Sequence, residues 1–293
     1  MSEFVAVVIA SLILGAALGL MALSFTVTFA VSRVFNFAVG QFMVLAGLLV
    51  SAIQLTHSPV LNAVLAVVML VGFGALTYLG TIRWPESHGA VPLTLVIITF
   101  GVGEIVEQAA NLGWGGITWS APLILHGRFY VAGAGVSYEG LLFLGVTAAL
   151  VAALWAIQRY TIVGKQILAV GVSREAAKYY GINDRRVVTT AWAVGFGLLG
   201  VVGVLYLPLS GVSMSTGLTY GLQGFVAAVL GGLGNAPGAL LGGLLIAFMI
   251  NSIGVYVGTN VVDLVTYALL FAFLVLRPAG LTGLAGDLIG PRA

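Results

Sequence analysis

Two carboxylates, Glu104 and Glu107, fall inside an apolar stretch of this 293-residue chain. Their i, i+3 spacing puts them on one helix face, where carboxylates at membrane depth could relay protons. Asn111 and Gly113 follow within two turns, so the same pair could instead lie near a membrane surface. Elsewhere the residues that chemistry needs are missing or misplaced. His57, His88 and His126 stand apart, with no second ligand at metal spacing. There is no cysteine, which excludes thiol chemistry and disulfides. No serine occupies a Gly-x-Ser-x-Gly elbow. A phosphate-cradling loop needs Gly, four residues and then Gly-Lys-Ser/Thr, but around Lys165 the first glycine is Arg159 and the hydroxyl is Gln166. ATP cannot bind by that route. No metal or other cofactor is expected on this chain, and no enzymatic activity.

A second cluster is of another kind. The stretch "VSREAAKYYGINDRR", residues 172–186, holds six of the chain's 20 charged residues: Arg174, Glu175, Lys178, Asp184, Arg185 and Arg186. Ser173 is a good N-cap, and Glu175 lies in the first turn, beside the positive end of the helix dipole. Lys178 lies in the last turn and Gly181 can take the left-handed position that ends a helix. A helix this short is not stable alone in water, so it must pack on something. Tyr179, Tyr180 and Ile182 offer apolar surface for that. Two readings remain: an amphipathic helix resting on anionic lipid, or a docking knob for a soluble partner that supplies the missing ATP site.

The elements that position these residues follow from composition. The chain is 60% hydrophobic and 7% charged, with a mean hydropathy of +1.15, whereas a soluble domain carries about 25% charged residues. A globular enzyme is excluded. The net charge of +2 is too small to suggest nucleic acid. Apolar runs of about 20 residues recur, the mark of helices that cross a bilayer, and the short alternating segments of a membrane barrel are absent. The expected fold is all-α: one polytopic membrane domain over residues 1–293, with about eight or nine segments, some short or discontinuous. Spans are expected near 4–31, 37–55, 60–80, 92–112, 140–158, 187–208, 218–233, 238–254 and 261–276. Breaks are expected at Pro59, at "RWPESHGAVP" (83–92), at Pro208, at "GNAPG" (234–238) and at Pro278. No basic region precedes Phe4, so the first span is expected to be retained rather than cleaved as a signal peptide.

Lysine and arginine are retained in cytoplasmic loops. Six of the 11 lie in the 159–186 loop, and placing that loop inside also places Arg33, Arg83, Arg277 and Arg292 inside, leaving only Arg128 outside. The N-terminus is then external and the C-terminus cytoplasmic. The 218–233 segment is about 24 Å long against a hydrocarbon core of about 30 Å, so it and 238–254 are either two crossings or a re-entrant pair. Asn36, Gln41 and Asn251 are also polar groups in apolar surroundings. They are candidates, with Phe37 and Gly40, for a translocation path, or else for hydrogen bonds between helices. Glycine is dense in "GFVAAVLGGLGNAPGALLGGLL" (224–245). There Gly231, Gly232, Gly234, Gly238 and Gly242 could allow close helix packing or a broken helix.

Several of these stretches resemble one family. Glu175-Ala176-Ala177, three residues and then Gly181 are similar to the EAA-x3-G loop by which ABC importer permeases engage their ATPases. "GINDRRVVTTAWAVGFGLLGVVGVLY", "LQGFVAAVLGGLGNAPGALLGGLL", "RVFNFAVGQFMVLAG" (33–47) and "LRPAGLTG" (276–283) resemble the branched-chain amino acid permeases of the LivH type. "TFGVGEIVEQAANLGWG" (99–115) resembles them more weakly. The resemblance implies an inner-membrane permease subunit of a binding-protein-dependent importer, with Ser173, Arg174, Glu175, Ala176, Ala177, Lys178 and Gly181 docking an ATPase. It also implies partners: two ATP-binding subunits that hold ATP and Mg, a second permease of the LivM type forming a heterodimer, an external solute-binding protein, and membrane lipid. Where the family has His-Gly-Glu this chain has Val39, Gly40 and Gln41, and Asn251 replaces an acidic residue. These losses of ionisable groups widen the expected solutes from branched-chain amino acids to urea, short amides and aromatic acids. A stand-alone proton- or ion-coupled carrier using Glu104 and Glu107 is the rival reading.

Overall fold

The computed structural model describes residues 2–52, 58–115, 123–131, 133–211 and 213–276; His57, Pro278, Arg277 and Arg292, with most of the "LRPAGLTG" stretch, lie outside the described residues. Among the described residues, six helices are long and apolar enough to cross a membrane. They are α1 (Ser2–Ser32), α3 (Pro59–Thr77) with its continuation to Ser87, α5 (Pro92–Trp114), α6 (Tyr138–Tyr160), α9 (Asp184–Leu205) continued by α10 (Leu207–Ser210), and α12 (Ala236–Tyr256). Shorter helices are α2 (Val39–Ala52), α11 (Ser215–Gly231) and α13 (Val262–Leu276). The side chains turned outward are apolar: Val64, Val68, Leu93, Ile97 and Ile105 are all more than half exposed. Such a surface would aggregate in water and suits hydrocarbon. The fully buried side chains Leu18, Met21, Phe25, Trp192 and Phe196 form the centre.

Local sequence explains most helix ends. Ser58 caps α3, accepting from the Leu61 amide, with Pro59 in the first turn. The expected break at 83–92 arrives late. A π turn (Tyr78–Ile82) leads directly into α4 (Arg83–Ser87), so the third span carries on through Pro85. The widened turn lies where a proline ring would otherwise press on the carbonyl four residues back. Between α5 and α6 the chain forms a short hairpin, too short to show a period in the sequence, β1 (Arg128–Val131) against β2 (Ala134–Ser137), with Arg128 opposite Ser137. The stretch expected as the 159–186 loop holds two helices, α7 (Ile162–Val172) and α8 (Arg174–Tyr179). Thr161 ends α6 and caps α7, and Ser173 ends α7 and caps α8, so each joint is a single residue.

The helices pack as two inverted sets. α1 packs on α12 as α9 packs on α3; α1 meets α11 as α9 meets α2; and α2 carries α5 as α11 carries α13. The end of α1, the end of α4, the end of α7, α8 and the start of α9 lie together at one end of the bundle. The start of α1, the hairpin, Tyr206 and Asn251 lie together at the other. Corresponding helices of the two sets therefore run in opposite directions. In membrane transporters such an internal repeat places the working site between its halves, near mid-depth.

Candidate functional site

The end of the bundle that carries α8 holds Arg33, Arg174 and Lys178, with Arg83, Arg159, Lys165, Arg185 and Arg186 within three residues in sequence of groups placed there. Of the nine described basic residues, Arg128 is the one in the hairpin at the other end. The α8 caps are those its sequence predicts. Ser173 Oγ accepts from the Ala176 amide at 3.2 Å. At the far end the Ile182 amide donates to Ala177 O at 3.0 Å and the Gly181 amide to Lys178 O at 2.9 Å. Gly181 has φ 74°, the left-handed conformation that this pair of bonds requires. Ala177 packs inward, while Glu175, Ala176, Lys178, Tyr179, Tyr180 and Gly181 are exposed. Lys178 Nζ pairs with Asp184 Oδ2 at 3.2 Å, tying α8 to the first turn of α9.

Arg174, expected among the docking residues, instead turns its side chain into the bundle and is not part of the outward face of α8. Its Nη1 lies 2.7 Å from Glu86 Oε1, and its Nε and Nη2 donate to Val31 O at 3.0 and 2.8 Å. Glu86 in turn accepts from the Tyr78 hydroxyl at 3.1 Å. Arg33, which follows α1, donates to Gly171 O in the last turn of α7 at 2.7 Å. Helices α1 and α7 therefore each receive an arginine on a carbonyl of the last turn, where the dipole is negative and intrahelical donors run out. Each arginine comes from the chain just beyond the other helix.

The second region is the break between α1 and α2. Arg33 takes φ 56°, and residues 33–36 are non-helical. Thr99 of α5 lies against the non-helical stretch, its hydroxyl oxygen accepting from the Phe37 amide at 3.2 Å and its one proton lying between Val96 O of α5 at 2.8 Å and Phe35 O at 3.1 Å. Gly103, halfway along α5, packs against Ala38 and Gln41, so α2 begins near mid-depth. Helix α11 begins beside it, since Gly40 meets Gly217 and Gly221 backbone to backbone. The first turns of two short helices from the two inverted sets thus cross inside the bundle. Asn36 is fully buried and Gln41 is 2% exposed. Asn36 Oδ1 accepts from the Ala38 amide at 3.1 Å, but Asn36 Nδ2 and Gln41 Oε1 are buried without a hydrogen-bond partner among the described residues. A buried polar atom left unpaired costs about 1–3 kcal/mol. Ser24, Thr26, Glu139, Thr147 and Trp192 also carry one, and what sets Asn36 and Gln41 apart is their place where α2 starts beside α11. Phe25, Phe35 and Phe37 surround Phe225 with ring centroids 5.3 to 5.7 Å from it.

The structure therefore brings Asn36, Phe37, Gly40 and Gln41 together, but not Asn251. That residue lies on α12, where Nδ2 donates to Ser11 Oγ of α1 at 3.3 Å and to Ala247 O at 3.0 Å. It also borders a pocket of about 460 Å³ at the hairpin end, with Arg128, Ser137, Tyr206 and Ser210. The glycine block divides by role. A side chain on Gly231 would overlap the Gly238 carbonyl, and one on Gly242 the Ala227 carbonyl, so these three bring α11 and α12 together. Gly232 and Gly234, with φ 95° and 89°, form the turn between them. Glu104 and Glu107 are partly buried on α5 beyond Gly103.

Sequence reasoning missed Glu86, Tyr78 and Glu139. Nothing local joins Glu86 to Arg174, 88 residues away. Glu139 is fully buried, and its Oε2 accepts from the Ile124 and Leu125 amides at 3.0 and 2.8 Å. An acidic residue two places after the N-cap Ser137 was the available signal.

A lipid-facing helical bundle, with an inverted internal repeat and short helices meeting at mid-depth, defines a polytopic membrane transport protein. Its family follows from comparison: the chain belongs to the branched-chain amino acid transport system / permease component family, whose family model matches residues 7–274. It is 25% identical over 285 residues to the high-affinity branched-chain amino acid transport system permease protein LivH of Salmonella typhimurium, covering 92% of each chain. It is 27% identical over 288 residues to the permease protein BraD of Pseudomonas aeruginosa, covering 93% of each. The ribose import permease protein RbsC of Haemophilus influenzae is 26% identical over 244 residues, 79% of this chain and 71% of that one. No solved structure matches.

Proposed function

We propose that this chain is the membrane permease subunit of a binding-protein-dependent ABC importer of the bacterial inner-membrane type. On this reading its solutes are branched-chain or other hydrophobic amino acids, or related small molecules such as urea, short amides and aromatic acids. The observation that carries the proposal is α8: a helix fixed at both ends, standing at the basic end of the bundle with Glu175, Ala176 and Tyr179 turned outward. In this reading the basic end faces the cytoplasm, as retention of lysine and arginine requires. The N-terminus is then external and the C-terminus internal. Residues 159–186 form the coupling element of a single permease domain. ATP and Mg belong to two soluble subunits docked on α8. A second permease, a homologue of the LivM type, completes the channel, and an external binding protein delivers solute to the hairpin end. Solute passes the crossing of α2 and α11, where Asn36 and Gln41 offer polar atoms. Relatives named for both branched-chain amino acid and ribose transport support a solute choice made largely outside this chain.

Purification of the tagged chain from its native membrane tests this. The proposal predicts a complex that hydrolyses ATP, faster when solute-loaded binding protein is added. A chain that purifies alone and drives uptake on a proton gradient, with uptake lost in Glu104→Gln or Glu107→Gln, would establish the carrier reading instead.

A further inference from the structure

We infer that Arg174 and Glu86 are positioning residues: together they form a strut that carries movement of α8 both to the break after α1 and to the π turn of α3. The inference rests on the proposed docking of an ATPase on α8 and adds the route by which that docking acts.

A helix of six residues moves its neighbours only if it is fastened to them. Glu175, Ala176 and Tyr179 are exposed among the described residues, and Lys178 reaches only the start of α9, so the fastening to α1 and α4 lies on the inner face. Arg174 supplies it with three nitrogens on two partners: Val31 O in the last turn of α1 and Glu86 Oε1 on α4. The planar guanidinium fixes both partners in one geometry, which a flexible ammonium cannot do. The pair is partly buried, with side-chain exposures of 27% and 19%, so water does not dissolve the link as it would an exposed ion pair. The returning bond from Arg33 to Gly171 O clamps α7 to the same point.

Both partners lead to deformable backbone. Val31 lies just before Arg33, whose positive φ opens the non-helical stretch that holds Asn36. Glu86 holds the hydroxyl of Tyr78, the first residue of the π turn. π turns inside helices are local irregularities at which a helix can bend. From Tyr78 the contact continues to Trp192 at 5.9 Å, Phe196 at 6.1 Å from Trp192, and Phe42 of α2 at 4.6 Å from Phe196. One arginine thus reaches α2 by two routes, along the chain through residues 33–38 and across the aromatic rings of α9.

The absence of cysteine allows spin labels to be placed at Val172→Cys and Val68→Cys, exposed on α7 and on α3 before the π turn. In the purified complex with its ATPase, trapping with ATP and vanadate is expected to shift the distance between the labels. Arg174→Gln should keep the ATPase bound and hydrolysing but lose the shift. Glu86→Gln keeps an acceptor for Tyr78 and should reduce the shift, serving as the reading if Arg174→Gln does not accumulate. An unchanged shift in either variant that accumulates would overturn the strut. Loss of the ATPase from Arg174→Gln would overturn it too, by making Arg174 a docking residue. A wild-type chain that brings down no ATPase would instead sink the functional reading itself.

Discussion

Gly40 and Gly217 touch backbone to backbone: a Cβ built on Gly40 would fall onto the Gly217 carbonyl, with the Gly221 amide 3.0 Å away. This contact lets the first turns of α2 and α11 cross inside the bundle. Overpacking a close-packed interior costs about 1–3 kcal/mol, and here the obstacle is backbone that cannot rotate aside. Gly40→Ala should therefore lower the amount of folded protein in the membrane. Gly72→Ala, with nothing within 4 Å, should leave it unchanged. Fluorescence-detected size exclusion of the two variants makes the comparison, and equal wild-type levels would show that the crossing is looser than described.

Sidedness gives a second expectation. Single cysteines in place of Arg128 and Tyr179 are both exposed and lie at opposite ends of the bundle. With the basic end cytoplasmic, a membrane-impermeant maleimide should label position 128 in intact cells and position 179 only in opened membranes. The reverse pattern would invert the topology.

The polar residues of the interior should part company. Asn36→Ala and Gln41→Ala remove buried groups that hold unpaired polar atoms, so each should change transport more than abundance. Asn251→Ala breaks a bond from α12 to Ser11 of α1, worth about 1 kcal/mol. It should lower abundance and transport together. Uptake normalised to protein amount separates the cases; normal uptake in both Asn36→Ala and Gln41→Ala would move the path elsewhere.

How much of this was legible in the sequence depends on how local each signal is. Ser173 and Gly181 are read correctly because a cap involves only residues within a turn. Long apolar runs show the large helices because burial in lipid needs nothing from the rest of the chain. Helix α7 is hidden because its 11 residues are too few to cross a bilayer and its apolar face, Ile162, Leu168 and Val172, stays exposed. Pro85 looks like a helix end because the π turn that accommodates it has no simple sequence mark. The pairing of Arg174 with Glu86 and the inverted packing of α1 and α9 arise only in three dimensions. Asn251 resembles Asn36 and Gln41 in the sequence, all polar in apolar runs, and the structure places it on another interface.

Glu139 anchors the hairpin end. Its Oε2 accepts two backbone amides while fully buried, and its Oε1 has no partner among the described residues; a hydrogen bond of this kind contributes about 1 kcal/mol net. Glu139→Ala should speed hydrogen exchange at the Ile124 and Leu125 amides and lower the melting temperature. Glu139→Gln, which keeps an acceptor, should do so less. Unaltered exchange at those amides in Glu139→Ala would show that the carboxylate is not what holds them.

The central claim, that α8 is the docking helix of an ATP-driven permease, is tested most directly by Glu175→Lys. Glu175 is exposed and lies in the first turn, at the positive end of the helix dipole. Reversing its charge leaves the membrane helices untouched while disturbing both the helix and any pairing with a partner. Uptake and ATPase co-purification are measured on the same preparation. The account predicts normal membrane abundance with uptake strongly reduced, and an ATPase that is either lost or hydrolyses without moving solute. Full uptake with the ATPase retained, and tighter association with anionic vesicles, would contradict it and leave α8 as a helix that rests on lipid.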